Sequence, residues 1–332
     1  MKRTKKMLPA LLGLLLIASL AQAETKIVKI DGSSTVYPIT EAVAEEFQAA
    51  NRGAINVTVG ISGTGGGFKK FCRNEIDIAE ASRPILKKEM EACRAVGVKY
   101  IEVPVAYDAL TIVVNPKNDW LKSISVDELK KIWAPEAQQT ITTWNQINPA
   151  WPKEQLKLYG PGADAGTFDY FTEAIVGKAK ASRGDYTASE DDNVLVQGVS
   201  RDKGALGYFG FAYYAENSKK LKAVPVVAKA GAPAVSPSFE TVKDGSYQPL
   251  ARPIFIYVNV ASLDKPEVKA FVDFYLAQAP ALIPLVKYVP LPEKAYTLAK
   301  ANVAKKKIGT GFGGEAEVGV SVEDLLQREG KN

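Results

Sequence analysis

The chain has 332 residues, with 42 Lys and Arg against 37 Asp and Glu and 46% hydrophobic residues, enough for two ordinary domains with real cores. It contains no histidine, which excludes His-based catalytic triads, His metal sites and His pH switches. The first element reads as an export signal. Lys2, Arg3, Lys5 and Lys6 precede an apolar run over Leu8–Leu20, and Ala21-Gln22-Ala23 supplies a small-x-small cleavage site. A run of about 13 residues is too short for a bilayer, which needs roughly 20. With no Cys at the cleavage point, the expected mature protein is soluble, not lipid-anchored, and periplasmic. Cleavage after Ala23 removes four of the 42 basic residues and none of the 37 acidic ones, leaving 38 against 37. A chain so close to neutral, without a dense basic run, offers nothing to nucleic acid.

Hydrophobic periodicity then alternates strands and helices. Lys26–Ile30 reads as a strand, Gly32-Ser33-Ser34-Thr35 as a turn, and Tyr37–Ala50 as an amphipathic helix with Ile39, Val43 and Phe47 on one face. Ile55–Ile61 is a second strand, followed by a Gly-rich turn over Ser62–Gly67 and a helix from Phe68 to about Asn74. Ile76–Ala79 is a third strand, ending at Ser82-Arg83-Pro84, and Lys87–Val96 is the next helix. Three β-turn-α units in succession predict a parallel α/β sheet. Ligands gather at the carboxyl ends of such strands.

Val103–Val114 is a long apolar stretch interrupted by Tyr107-Asp108. A helix over Val126–Trp133, a strand over Leu156–Tyr159, a turn over Gly160–Gly166 and a helix over Thr167–Val176 follow. Gly204–Tyr214 reads as strand and turn, Ala228–Tyr247 as loops, Pro253–Val260 as a strand and Pro266–Ala277 as a helix. A Gly-rich tail begins at Gly309 and ends in a short helix over Val320–Gln327. The two apolar strands, around 105–114 and 253–260, suit a pair of crossings between lobes. One lobe would then comprise 24–106 with 254–332, the other 107–253.

Three strand-to-helix turns carry small hydroxyl and glycine residues where helix amides lack partners. Ser33, Ser34 and Thr35 open the first helix, Ser62, Gly63 and Thr64 the second, and Gly166 with Thr167 the later one. Unpaired N–H groups at a helix start carry partial positive charge, hydroxyls add donors, and glycine lets the backbone approach closely. Any one of these turns is adequately explained by helix capping; three in one exported α/β protein point to a small oxyanion. Rival motifs are incomplete. Phe68 stands where a dinucleotide fingerprint needs its last glycine, no Gly-Lys-Ser/Thr ending follows, and Ser62 has no histidine base for nucleophilic chemistry. The expected class is a binding protein and not an enzyme. Cys72 and Cys93, an even count in an oxidising compartment, predict a disulfide. A two-Cys metal site would lack further soft ligands, so no metal or other cofactor is expected.

The segments DGSSTVYP from Asp31, GISGTGGGF from Gly60, DIAEASRP from Asp77, YGPGADAGTF from Tyr159 and ARPIFIYV from Ala251 resemble the PstS family of phosphate-binding proteins, in its SphX-like branch. The likeness spans the whole mature chain in order. It implies a two-lobed type II periplasmic binding protein fold of the α/β class. It also implies a buried phosphate in the cleft between lobes, an inner-membrane ABC permease as receiver, a monomeric state and no catalysis. Carried over, the ligand set is Ser34, Thr35, Ser62, Gly63, Thr64, Ser82, Arg83, Gly166 and Thr167. Two departures stand out. Arg83 occupies a position where well-known members have Asp, and Gly160-Pro161-Gly162 stands where they have Arg; Ala165 also replaces a frequent Ser. The site's cation is therefore expected at Arg83, with Arg252 next in line. Phosphate at neutral pH usually keeps a proton that sulfate lacks, so a carboxylate acceptor is expected, with Asp164 as the candidate. Rival readings are a receptor for sulfate, molybdate or arsenate, and a secreted phosphate-scavenging or adhesive protein without an importer. A phosphatase would need the histidine or dense Asp cluster that the sequence lacks.

Overall fold

The computed structural model describes residues 26–163, 165–189, 191–314 and 321–328. The expected export signal and Asp164 lie outside the described residues. In chain order the first half runs β1 (Lys26–Gly32), α1 (Tyr37–Ala50), β2 (Ile55–Ile61), α2 (Thr64–Phe71), β3 (Ile78–Ala81), α3 (Lys87–Ala95), β4 (Tyr100–Val114), β5 (Ile124–Ser125) and α4 (Val126–Trp133). Then come β6 (Lys157–Pro161), α5 (Gly166–Phe171), β7 (Thr187–Ser189), α6 (Asp192–Arg201), β8 (Ala205–Gly210) and α7 (Phe211–Glu216). The rest is β9 (Lys222–Ala223), β10 (Val226–Val227), β11 (Ala234–Val235), α8 (Phe239–Lys243), β12 (Ala251–Asn259), α9 (Pro266–Leu282), β13 (Val289–Pro290), α10 (Glu293–Ala304) and α11 (Val322–Gln327).

The main sheet has the order β2-β1-β3-β12-β4-β8-β6-β7. Its two ends are parallel, β1 with β2 and β3, and β6 with β7 and β8. The centre is antiparallel, because β12 runs against β3 and β4, and β4 against β8. The all-parallel sheet expected from the β-turn-α units is thus corrected to a mixed one. The returning strand β12 has to enter from the far end, which reverses its direction. β4 carries both halves of the molecule: Tyr100–Ala109 pairs with β12, and Leu110–Val114 with β8. This is a two-lobed α/β fold in which β4 joins the two halves of the main sheet.

The largest apolar core runs without a break from one half of the sheet through β4 into the other. In α1, Ile39, Val43 and Phe47 are buried as their spacing predicts, and Phe47 meets Phe271 of α9 edge-on at 5.3 Å. On the other side Trp133 of α4 packs edge-on against Tyr208 of β8 at 4.9 Å. A side chain with all its neighbours in contact gains both from the area removed from water and from close packing. Cys72, just after α2, is bonded to Cys93 of α3, as the even cysteine count predicted.

Several elements differ from the sequence reading. α2 begins at Thr64, inside the Gly-rich stretch read as a turn. Its glycines serve packing: a Cβ on Gly67 would lie 2.7 Å from Gly32 Cα, so only glycine lets this helix turn reach β1. α9 continues through Pro280 to Leu282. The stretch read as loops over Ala228–Tyr247 contains β11 and α8. The segment read as strand and turn closes in a helix, α7.

Candidate ligand-binding site

The ends of β1 and β3 and the starts of α1 and α2 converge on one edge of the sheet, and α5 arrives from the opposite lobe. At the end of β1, a Cβ on Gly32 would lie 2.2 Å from the Glu80 carbonyl oxygen, so the strand stays in register only with glycine. Ser33 donates its N–H to Glu80 O at 3.1 Å and accepts the Thr35 N–H on its hydroxyl at 3.2 Å. Ser33 is therefore a brace, and Thr35 is held buried beside it.

α2 is held by Asp31. The Asp31 Oδ1 accepts Ser62 N–H at 3.0 Å and Ser62 hydroxyl at 2.5 Å, and Oδ2 accepts Lys70 Nζ at 2.5 Å. Burial pushes this carboxyl up, but the Lys70 and Ser62 hydrogen bonds outweigh it, and it sits below the ordinary carboxylate value. Ser62 thus gives its hydroxyl to Asp31 rather than to the cleft. Gly63 takes the left-handed φ of 74° that starts the helix, and Thr64 Oγ1 accepts Ser82 N–H at 3.2 Å while lying 3.2 Å from Ser82 Oγ. Two of the expected ligand turns are thereby locked to one another.

Arg83 lies across the first turn of α2. Its fork is engaged: Nη1 and Nη2 donate to the two Glu89 carboxylate oxygens at 2.9 Å each, and Nη1 also to Pro84 O at 3.1 Å. Glu89 in turn accepts Leu86 N–H at the start of α3. From the other lobe, Gly166 opens α5 directly against Thr35: a Cβ there would stand 2.4 Å from Thr35 Oγ1. The structure therefore sets Gly166 against Thr35, and Thr64 against Ser82 beside Arg83, and gives the Ser62 hydroxyl to Asp31.

Two carboxylates had no part in the expected site: Asp108, and Glu80, which as an ordinary acidic residue would be solvated but is buried. Asp108 of β4 is the register partner of Arg252 of β12, next to the point where β4 changes its partner from β12 to β8. Its Oδ2 stands 3.6 Å from Arg252 Nη2, an ion pair without a hydrogen bond of normal length. Burial raises the Asp108 carboxyl above its ordinary value, and Arg252 opposes that rise. Arg252 also lies 3.7 Å from Glu173, and its guanidinium stacks 3.6 Å from the Tyr170 ring centre. The signal for Asp108 was visible as the polar break in an apolar strand. The second, Glu80, is fully buried under α1, and burial pushes it up to about 8, with the Thr40 hydroxyl only partly opposing. Among the described residues no cluster of acidic and sulfur side chains could hold a metal ion.

Residues 19–279 match the PBP superfamily domain. Protein SphX of Synechococcus elongatus is 57% identical over 312 residues, covering 94% of this chain and 91% of that protein. The phosphate-binding protein PstS of Staphylococcus saprophyticus is 40% identical over 273 residues, covering 81% and 82%. This chain belongs to the PstS family, in its SphX-like branch. A solved structure described as a possible phosphate-binding protein from Planctomyces limnophilus superposes with a TM-score of 0.80 at 48% identity, covering 85% of this chain and 98% of that one. The fold extends to more distant PstS-like architectures: an ABC-type phosphate transport receptor from Vibrio cholerae, at 21% identity, gives a TM-score of 0.63. Arg83, expected to carry the site's charge alone, is paired here with Glu89.

Proposed function

We propose that this protein captures inorganic phosphate between its lobes in the periplasm and delivers it to an inner-membrane ABC permease, acting as a binding protein without catalysis. The observation that carries the reading is the approach of Gly166 to Thr35, which sets the start of α5 against the turn after β1. An anion beside that contact would meet the start of α5, whose first N–H groups carry partial positive charge, and the Thr35 hydroxyl across from it, since the Val36 and Tyr37 N–H groups of α1 are already given to Ser33 O. Ligand and lobe closure would then be one event, which is the signal a permease can read. The PstS and SphX relatives support phosphate as that anion.

The lobes are assigned as 24–106 with 254–332, and 107–253. The changeover of β4 from β12 to β8 near Ala109–Leu110 supports a crossing within a few residues of the first boundary. Thr35, Thr64, Ser82, Gly166 and Thr167 are proposed as donors, with Ser34 and Gly63 shaping the turns and Arg83 as the fixed cation. Arg83 keeps Glu89 as its partner, so it acts as an oriented and partly neutralised charge. Asp164 lies beside the helix start of α5 in sequence and stays a candidate for accepting the phosphate proton. Asp108 joins it, because its buried Oδ2 has no hydrogen bond of normal length.

Calorimetric titration of phosphate-stripped protein tests the reading. Sub-micromolar phosphate binding corresponds to more than about 8 kcal/mol, and is the expected result, with sulfate far weaker. Sulfate binding as tight as phosphate would sink the assignment, since a site built only of donors suits the anion that carries no proton.

A further inference from the structure

We propose that Glu80 is a positioning residue for anion capture: the turn over Ser33, Ser34 and Thr35 is set for the anion only while the Glu80 carboxyl keeps its proton. This rests on the phosphate reading and adds to it a proton that the protein itself must hold.

The segment Ile78-Ala79-Glu80-Ala81 puts alternate side chains on opposite faces of β3. Ala79 and Ala81 join the core that holds Phe68 and Phe71 of α2, and Ile78 joins the core that holds Ile39 and Val43 of α1. Glu80 shares the face of Ile78 and is 0% exposed. A carboxyl thus stands in an apolar core, just before the strand ends at the ligand turns. Its main chain holds the first of those turns. Glu80 is the register partner of Gly32, and its carbonyl accepts Ser33 N–H at 3.1 Å. Ser33 O in turn accepts the Val36 and Tyr37 N–H groups at the start of α1, and the Ser33 hydroxyl accepts Thr35 N–H.

The side chain has almost nothing to pair with. Neither carboxyl oxygen has a hydrogen-bond partner of normal geometry. The Thr40 hydroxyl of α1 acts on it, but lies 3.1 Å from the Tyr275 hydroxyl of α9. The titratable groups that face Glu80 are Asp31 of β1, which carries Lys70, Tyr37 of α1 and Tyr275 of α9. Its register partner on β12 is Ile256. Among the described residues no lysine or arginine acts on it.

An ionised Glu80 would be an unpaired charge in an apolar core, which costs far more than an unpaired neutral group. Water entering between β3 and α1 relieves it, and movement of α1 carries Ser33 and Thr35 along. An anion bound at that turn adds a second negative charge beside the first. Like charges disfavour one another's ionised forms, so anion capture and ionisation of Glu80 oppose each other. Burial holds the carboxyl of the free protein up at about 8. Capture is therefore strongest below that value and weakens as pH rises through it.

Phosphate affinity measured by calorimetry across pH, in the parent and in Glu80→Gln, tests the proposal. The variant stays neutral, and the ionisation of phosphate itself cancels in the ratio of the two affinities. That ratio is expected to rise in favour of the variant by about ten-fold or more between about pH 7 and about pH 9.5. A ratio that stays constant or falls overturns the proposal and leaves the phosphate reading standing. Failure of the parent to bind phosphate at any pH removes the phosphate reading and the proposal together. If Glu80→Gln does not fold, Glu80→Met gives the same comparison, and NMR of the glutamate carboxyl carbons in the parent needs no variant. One carboxyl should titrate near 8 in the free protein and higher with phosphate bound. A spectrum in which no glutamate titration moves on phosphate saturation overturns the proposal.

Discussion

Arg83 and Arg252 both border the cleft, and each arrives with carboxylates of its own. Glu89 grips Arg83 with two hydrogen bonds of 2.9 Å, whereas Asp108 and Glu173 stand 3.6 and 3.7 Å from Arg252. A charge-assisted fork fixes orientation, and the paired carboxylate weakens the field that a ligand feels. Arg83→Ala is accordingly expected to weaken phosphate binding by about ten-fold or more, roughly 1.4 kcal/mol, with Arg83→Lys between the two. Arg252→Ala, titrated in parallel, decides the assignment: loss of binding there with Arg83→Ala unaffected would move the cation to Arg252. Glu80 makes a different prediction. Its folded value is raised to about 8 by burial, against roughly 4.3 in an unfolded chain. Between those values the folded state holds a proton that the unfolded state has released, so stability falls as pH rises through that window. Above about 8 the loss is complete and constant. Glu80→Gln keeps the side chain neutral at every pH. Its stability relative to the parent should therefore rise from about pH 4.5 to 8 in denaturant unfolding, and a pH-independent difference would count against a neutral Glu80.

Among elements, α2 and α3 form a unit clasped at both ends. Arg83 and Glu89 link the segment before α3 to its first turn, next to the start of α2, and the Cys72–Cys93 disulfide ties the other end across a sequence separation of 21. A closed loop of this length restricts the unfolded chain by roughly 3 kcal/mol in the chain-entropy account. Cys72→Ser with Cys93→Ser should lower unfolding stability by about that amount, and an unchanged denaturant midpoint would show that the bridge contributes nothing. Thiol titration of the unreduced, denatured protein should likewise find no free thiol. The helices themselves were legible where apolar spacing carried them, as in α1 and α4, which match their expected bounds. α2 was placed four residues late because glycines read as helix breakers. Glycine costs a helix about 1 kcal/mol relative to alanine, but the contact of Gly67 with β1 leaves no room for any other residue. Local propensity lost to a tertiary contact.

At the scale of the molecule, the sequence by itself determined the class of fold, the family and the disulfide. These follow from local pattern: strand and helix periodicity, two cysteines, and a set of motifs specific to one family. Tertiary structure alone decided the rest. It made the sheet mixed, because β12 returns from a distant part of the chain and must run against β4. It gave the Ser62 hydroxyl to Asp31, residues 31 positions apart that only the parallel pairing of β1 with β2 brings together. It also placed Glu89 on Arg83 and Arg252 beside Asp108. Whether a charged side chain reaches a ligand or a partner depends on which other charges the fold carries to within a few ångströms. Coulomb energies fall with distance and rise with burial, and a linear pattern encodes neither quantity for residues that meet across lobes.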